Sequence, residues 1–192
     1  MGTACEFGLA PARLDSFGLL ESIAEGTRLL EDDTGRAGAF RELAISRLSA
    51  IEYEAAAETH LLPGVTQALL RLRGAGYRLG IVTRNSAAAV ERVIGNIALP
   101  VNALLTREAV AYPKPHPMHA EEMLALLKST PAQSLMVGDH PTDILMGKQV
   151  GMGTVAVLTG QSSEADLRAS APDWLLPSVL ELTAMLFDGK MT

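Results

Sequence analysis

Apolar residues follow two different periods along the carboxyl-terminal two-thirds of the chain. Short apolar runs of strand length occur at residues 79–82, 103–105, 135–137, 154–158 and 174–176. Between these runs, apolar residues recur every three or four positions, as on one face of a helix, at residues 65–72, 86–97, 120–127 and 179–186. Strands that alternate with helices indicate βαβ units, in which helices cover both faces of a parallel sheet. The pattern therefore predicts an α/β fold.

The amino-terminal part of the chain has a different pattern of apolar residues. Residues 12–60 contain few turn signals, and apolar residues such as Phe17, Leu20 and Ala24 recur at helical spacing. The dipeptide Pro63-Gly64 is the clearest break between this part of the chain and the part with alternating strand and helix patterns. We therefore predict a helical segment at residues 1–60 and an α/β core at residues 61–192.

Composition narrows the classes of function. The chain has 192 residues, of which 48% are apolar and 20% charged, values typical of a folded soluble protein. A net charge of −6 gives no broad positive field that would attract nucleic acid or an anionic membrane. The single cysteine, Cys5, excludes an internal disulfide, and no apolar run has transmembrane length. We expect a cytoplasmic protein whose partner is a small molecule, and the sequence leaves its oligomeric state open.

Ligands of parallel α/β sheets bind beyond the carboxyl ends of the strands, so polar residues that follow an apolar run are candidates for a site. The first such cluster is Thr83-Arg84-Asn85-Ser86. Its hydroxyl groups and the backbone N–H groups of a helix start can hold an anion. The alternative is an ordinary helix cap formed by Asn85 or Ser86.

The second cluster is a lysine held between prolines. Lys114 lies in the run 112–117, Tyr-Pro-Lys-Pro-His-Pro, where the prolines stiffen the backbone that presents its ammonium group. A lysine fixed in this way suits a phosphate, although a solvated lysine in a proline-rich loop is the alternative. His116 and His119 lack a cysteine or a third histidine at metal-ligand spacing, which argues against a zinc site.

The third cluster places two aspartates after a buried strand. The run 135–143, Leu-Met-Val-Gly-Asp-His-Pro-Thr-Asp, contains Asp139 and Asp143, and Pro141 suits the first turn of a helix. The two carboxylates are then about one helical turn apart and converge at the strand end. Such oxygen ligands suit Mg²⁺, which completes its shell with water and substrate phosphate. The alternative is an acidic helix start without a metal.

The order of these clusters resembles motifs two, three and four of the haloacid dehalogenase superfamily, and the resemblance covers residues 61–187. The segments 62–65 and 80–85 are most similar to its phosphoglycolate-phosphatase-like group. The resemblance implies a three-layer α/β/α Rossmann-like core with a helical cap at residues 12–60. It also implies a phosphatase that transfers a phosphoryl group from a small phosphomonoester to an aspartate and then hydrolyses the aspartyl-phosphate.

The resemblance also assigns roles to the residues of the three clusters. Thr83 would bind the phosphoryl oxygens through its hydroxyl group, helped by the backbone N–H of Arg84. Lys114 would neutralise charge on the phosphoryl group, and Asp139 and Asp143 would hold Mg²⁺ directly or through water. The side chains of Arg84 and Asn85 would contact the substrate or remain on the surface.

One motif of the family is absent from this chain. The family's first motif is an apolar strand ending in Asp-x-Asp-Gly-Thr, which supplies the nucleophile and the general acid/base. Asp15 precedes a helical stretch, and residues 32–35, Asp-Asp-Thr-Gly, follow no apolar strand and are typical of a turn between helices. The segment 2–9 has a poor composition for a core strand. In the family this strand lies in the middle of the sheet, so two neighbouring strands would lose their pairing.

Three explanations follow for the missing motif. The chain is an amino-terminally shortened form of an active phosphatase, a non-catalytic protein that binds phosphate and metal, or a protein whose core another chain completes. A response-regulator-like or nucleotide-binding α/β module is a further alternative. The glycine-rich loops that cradle a dinucleotide or a triphosphate are absent from the sequence, which disfavours nucleotide binding.

Overall fold

The structure is a computed structural model, and it describes residues 2–10, 18–95 and 97–189. The chain forms two compact units, residues 1–57 and residues 58–192. Asp15 and Phe17 lie outside the described residues. Among the helices of the described ranges, none combines the length and the apolar character needed to cross a membrane.

The first unit is helical throughout its described secondary structure. Its helices are α1 (Gly2–Glu6), α2 (Leu19–Arg28) and α3 (Thr34–Ala55). Phe40 of α3 is 2% exposed and packs with Leu30, Ala37 and Ala44 in the core of this unit. Asp33 accepts a hydrogen bond from the N–H of Arg36 and so caps α3. The predicted turn at 32–35 is confirmed for Asp32 and Asp33, which lie between α2 and α3, but Thr34 and Gly35 already belong to helix α3. The segment 2–9 begins with helix α1, which packs against α3, so it does not provide a core strand.

The second unit alternates strands and helices, as the apolar periods predict. Its strands are β1 (Gly80–Val82), β2 (Ala103–Leu105), β3 (Leu135–Gly138), β4 (Gly153–Val157) and β5 (Trp174–Leu176). Its helices are α4 (Val65–Gly74), α5 (Ala87–Ile94), α6 (Met118–Leu127), α7 (Pro141–Val150), α8 (Glu164–Ala169) and α9 (Val179–Phe187). All the strand pairs are parallel, which confirms the α/β fold class.

The strands form two separate ladders. β1 pairs with β2, and β3, β4 and β5 pair in that order. The register joins Val82 to Leu105 in the first ladder and Val137 to Val155 in the second. Strand β4 has a neighbour on each side and is buried at four of its five residues. Among the described residues, β1 and β3 each pair with one other strand.

Helices connect the two ladders. α7 packs on β3 and β4, whereas α6 packs on β1, β2 and α7. α9 packs on β5 and α4. A cluster of Ala120, Met136 and Met146 includes Val82 of β1 at its margin, so apolar contacts reach from one ladder to the other. The two ladders are therefore held side by side by helix packing.

Candidate active site

One cavity brings together polar residues that are far apart in sequence. It has a volume of about 740 Å³ and lies between the facing edges of β1 and β3. Thr83, Lys114, Asp139 and Asp143 all line it. Its other walls are largely apolar and come from β1, β3, α6 and α9. The three clusters that the sequence analysis identified therefore meet at one place.

Thr83 follows β1 directly, and its backbone N–H donates a hydrogen bond of 2.9 Å to the carbonyl of Leu105. This bond extends the ladder by one residue and fixes the position of the Thr83 side chain. The Thr83 hydroxyl oxygen accepts from the N–H of Asn85 at 3.1 Å. Since a hydroxyl group both accepts and donates, the Thr83 O–H remains able to donate to a ligand.

Ser86, and not Asn85, caps helix α5. The Ser86 hydroxyl accepts from the N–H of Ala89, and Ser86 is 3% exposed. The N–H of Ala87 donates to Glu108 at 3.0 Å. A hydroxyl and a carboxylate thus already satisfy these two donors of the helix start, which weakens the sequence argument that this terminus binds an anion. Thr83 is the residue of this cluster that lines the cavity.

Hydrogen bonds of both the backbone and the side chain fix the position of Lys114. Its backbone N–H donates to Nδ1 of His119 at 3.0 Å. Its Nζ donates to Oδ1 of Asp143 at 2.7 Å, and its side chain is 16% exposed. The Lys114-Pro115 peptide bond is cis. Lys114 is therefore a fixed and largely buried cation, and not the solvated lysine of the alternative prediction.

His119 is a positioning residue that the sequence analysis considered only as a metal ligand. It is 0% exposed, and its Nε2 lies 3.3 Å from the carbonyl oxygen of Leu105. Because Nδ1 accepts from Lys114, Nε2 carries the proton and donates to that carbonyl. Burial lowers the pKa of His119 from its ordinary value of 6.5. Both ring nitrogens of His119 are therefore engaged by backbone groups.

Asp143 connects the lysine loop to the start of helix α7. It is 3% exposed, and its Oδ2 accepts from the N–H of His140 at 3.2 Å while its Oδ1 accepts from Lys114. His140 caps the same helix through its own ring, and Pro141 occupies the first helical turn as predicted. A side chain on Gly138 would overlap the Asp143 carboxylate, so a glycine is needed there. Asp143 therefore acts first as the counter-ion of Lys114.

Asp139 has a different environment from Asp143. It follows β3 directly and is exposed, and it has no hydrogen-bond or ion-pair partner among the described residues. Its carboxylate lies against Gly160, where even a methyl group would overlap it. The described residues contain no cluster of three or more His, Cys, Asp or Glu side chains suited to a metal. Any metal here would rely on Asp139, with water and a ligand completing the shell.

Sequence reasoning missed three residues that shape this site. His119 fixes the backbone of Lys114, Glu108 caps helix α5, and Gly160 leaves room for Asp139. His119 offered a signal, since it lies five positions after Lys114 and directly before the helix predicted at 120–127. Glu108 lies in a single 3₁₀ turn, Arg107–Ala109, and Gly160 in a loop, and no periodic pattern indicates which distant residue either of them contacts.

A parallel α/β core carries a threonine, a lysine and two aspartates around one cavity at its strand ends. The family model described as haloacid dehalogenase-like hydrolase matches residues 30–157. The chain belongs to this family.

Curated proteins that this chain resembles include a pyrophosphatase and a probable phosphatase by name. A pyrophosphatase PpaX from Bacillus mycoides is 34% identical over 124 residues, which are 64% of this chain and 58% of that protein. The chain therefore spans less than two-thirds of the length of this curated relative. A predicted phosphatase from Clostridium acetobutylicum has a similar structure, with a TM-score of 0.68, 15% identity, and coverage of 97% of this chain and 87% of the other. A predicted phosphoglycolate phosphatase from Haemophilus somnus gives a TM-score of 0.61 at 20% identity, covering 86% of this chain and 75% of the other.

The buried ion pair makes Asp143 and Asp139 differ in their effect on stability. Asp143→Asn leaves the Lys114 ammonium without its counter-ion, and we expect the free energy of unfolding to fall by about 3 kcal/mol. Asp139→Asn is the matched control, because its carboxylate is exposed and has no partner among the described residues, and we expect a change within about 0.5 kcal/mol. Urea unfolding followed by circular dichroism measures both. Equal losses in the two variants would contradict the proposed role of the pair.

His119 makes the stability of the protein depend on pH. Because its pKa is lowered in the folded state, the unfolded chain binds a proton more readily, and stability is lost as the pH falls from about 6.5 through the folded pKa. We expect His119→Gln to reduce this loss between pH 7 and pH 5, measured by urea unfolding at several pH values. His60→Gln, at an exposed position, is the control and should keep the parent slope. An unchanged slope in His119→Gln would refute the assignment.

Proposed function

We propose that this chain carries the phosphate- and magnesium-binding part of a phosphatase that acts on a small phosphomonoester. In this proposal the reaction passes through an aspartyl-phosphate, and the nucleophilic aspartate comes from a strand that the present sequence does not contain. The observation that carries the proposal is the convergence of Thr83, Lys114, Asp139 and Asp143 on one cavity. Residues 1–60 would form the cap that selects the substrate.

The charge of the site argues for a divalent cation. Lys114 contributes one positive charge, and Asp139 and Asp143 contribute two negative charges, so the side chains alone would repel a phosphate dianion. A bound Mg²⁺ reverses the sign of the site and supplies electrostatic stabilisation to the phosphoryl oxygens. The residues fit such an ion, because the carboxylate oxygens of Asp139, which have no partner among the described residues, are hard ligands at the edge of the cavity.

Each side chain then has a separate task. Asp139 would hold the cation directly. Asp143, whose two oxygens already accept hydrogen bonds, would orient Lys114 and contact the cation only through water. Lys114 would approach the phosphoryl oxygens from a fixed position, and Thr83 would donate its O–H to one of them. Arg84 and Asn85 would contact the rest of the substrate.

Two further arguments bear on the choice between hydrolysis and binding alone. Family membership and the phosphatase names of the relatives support a hydrolase over a response-regulator-like module. The absence of a third carboxylate from the described part of the cavity favours a second candidate, a protein that binds phosphate and metal without turnover. The partner would in both cases be a small phosphorylated metabolite.

Hydrolysis of p-nitrophenyl phosphate tests the first proposal. We expect no Mg²⁺-dependent turnover by the 192-residue chain, and turnover by a version extended with any in-frame upstream coding sequence. In the extended version, Asp139→Asn should lower kcat by about 100-fold or more, because it removes the main ligand of the cation. Asp32→Asn changes an exposed aspartate in the other unit and should leave kcat unchanged. Turnover by the 192-residue chain itself would contradict the proposal.

Calorimetric titration with inorganic phosphate separates the two candidates. The 192-residue chain should bind phosphate in the presence of MgCl₂ and much more weakly without it, and Lys114→Ala should weaken binding by about tenfold or more. Phosphate binding without turnover in either version favours the binding protein. No phosphate binding in either version would refute both candidates.

A further inference from the structure

A short turn after β2 lies beside the loop that follows β1. Because β1 and β2 are parallel and pair Val82 with Leu105, the residues after Val82 continue alongside the residues after Leu105. The N–H of Thr83 extends this pairing, since it bonds to the carbonyl of Leu105. The 3₁₀ turn Arg107–Ala109 therefore lies next to the candidate phosphate-binding loop at residues 83–86.

Arg107 is a buried cation in this turn, and arginine is rarely buried to this extent. Its side chain is 4% exposed, and its Nη1 donates a hydrogen bond of 2.9 Å to the backbone carbonyl of Arg84. Its Nε lies 3.7 Å from a carboxylate oxygen of Glu108. Because burying a charge costs free energy, packing alone would favour an apolar side chain at this position.

The carbonyl that Arg107 contacts belongs to the peptide group that joins Arg84 to Asn85. The N–H of the same peptide group donates to the hydroxyl oxygen of Thr83 at 3.1 Å. One peptide group therefore accepts a hydrogen bond from a cation at its carbonyl and donates a hydrogen bond to Thr83 at its N–H. Because a peptide group is planar, fixing its carbonyl also fixes the direction of its N–H.

Glu108 holds the next part of the same loop. Its Oε2 accepts from the N–H of Ala87 at 3.0 Å. Ser86, which precedes Ala87, is 3% exposed and caps helix α5. Adjacent residues of the 3₁₀ turn thus contact the Arg84 carbonyl and the Ala87 N–H, so the loop is fixed at both of its ends.

A hydrogen bond from a cation also polarises the peptide group that accepts it, and bonds in such a chain strengthen one another. The N–H of Asn85 then becomes a stronger donor to the Thr83 oxygen, and the Thr83 O–H becomes a stronger donor in turn. Thr83 lines the cavity together with Lys114, whereas Arg107 is not among the residues that line it. Arg107 can therefore act on a ligand in the cavity without touching it.

We propose that Arg107 is a positioning residue for the Thr83 hydroxyl and acts on it through the Arg84–Asn85 peptide group. It directs the Thr83 O–H toward a phosphoryl oxygen of the ligand and strengthens that hydroxyl as a donor. This inference rests on the proposed function, because it requires that Thr83 donates to phosphate. The ligand is the phosphoryl group of the substrate, and inorganic phosphate is the probe for it.

Phosphate affinities of four forms of the 192-residue chain test the coupling of Arg107 to Thr83. Calorimetric titration with inorganic phosphate and MgCl₂ gives the dissociation constants of the parent, Thr83→Val, Arg107→Met and the double variant. Thr83→Val loses a hydrogen bond to a charged ligand and should weaken binding about tenfold. Arg107→Met should weaken it about fivefold. The double variant should also weaken it about tenfold, whereas independent effects would multiply to about 50-fold.

Amide exchange measured by NMR tests the held peptide group without any ligand. In Arg107→Met the Asn85 amide should exchange about fivefold faster or more, because the carbonyl of its peptide group is no longer held. The amide of Leu158 bonds to Leu176 in the other ladder and reports opening of the whole core. The change at Asn85 is therefore measured relative to the change at Leu158.

Two further variants control for charge and for folding. Arg36 also donates a guanidinium hydrogen bond to a backbone carbonyl, that of Phe7 at 2.8 Å, but in the other unit. Arg36→Met removes the same charge and the same kind of bond, and the dissociation constant should stay within about twofold of the parent value. Arg107→Lys keeps a charge and a donor and should bind phosphate more tightly than Arg107→Met. If Arg107→Met does not fold, Arg107→Lys decides, because its smaller weakening should disappear when Thr83→Val is added.

Three results would overturn the inference alone. Unchanged phosphate affinity in Arg107→Met, together with a lower midpoint of urea unfolding, would show that Arg107 only stabilises the fold. Equal weakening by Arg107→Met with and without the Thr83 hydroxyl would show that its charge acts on phosphate directly. Unchanged exchange at Asn85 would show that Arg107 does not hold the peptide group. Absence of phosphate binding in the parent chain would instead refute the proposed function, and this inference with it.

Discussion

The ion pair between Lys114 and Asp143 determines how the polar end of the core is built. Lys114 follows one ladder and Asp143 follows the other, so their 2.7 Å contact joins two parts that share no strand pairing. Forming a buried ion pair of this kind costs free energy, because both charges leave water. Removing one partner costs more, because the other charge then stays buried without a counter-ion. The pair stabilises a particular arrangement of the two ladders more than it stabilises the fold as a whole.

The same pair explains why the two aspartates are not equivalent. Sequence spacing alone gave Asp139 and Asp143 the same role, since both flank the end of β3. In the structure Asp143 is buried and accepts hydrogen bonds at both oxygens, whereas Asp139 is exposed and unpaired among the described residues. One carboxylate is committed to a positive side chain, and the other remains available to a ligand.

Local patterns predicted the strands of the second unit and most of its helices, but not helix α8 (Glu164–Ala169). The apolar run at 103–105 coincides with β2, and helix α7 begins at Pro141 as the proline indicated. The pairing of the strands was not predictable in the same way, because a buried strand has the same apolar run whichever neighbours it has. The division into two ladders therefore appears only in the structure. For the site, the order of residue types along the sequence identified Lys114 and Asp139. Gly160 was identified only in the structure, where it contacts Asp139.

Trp174 has a consequence for any spectroscopic study of this protein. It is the only tryptophan of the chain, lies in β5, and packs beside a cluster that contains Val155 and Leu182. Its fluorescence therefore reports on the three-stranded ladder and is blind to β1 and β2. Helix packing and one ion pair are the main links between the two ladders. Thermal unfolding followed by tryptophan emission therefore describes only the ladder that contains β5. The two ladders unfold together only if the transition followed by circular dichroism coincides with the transition followed by emission.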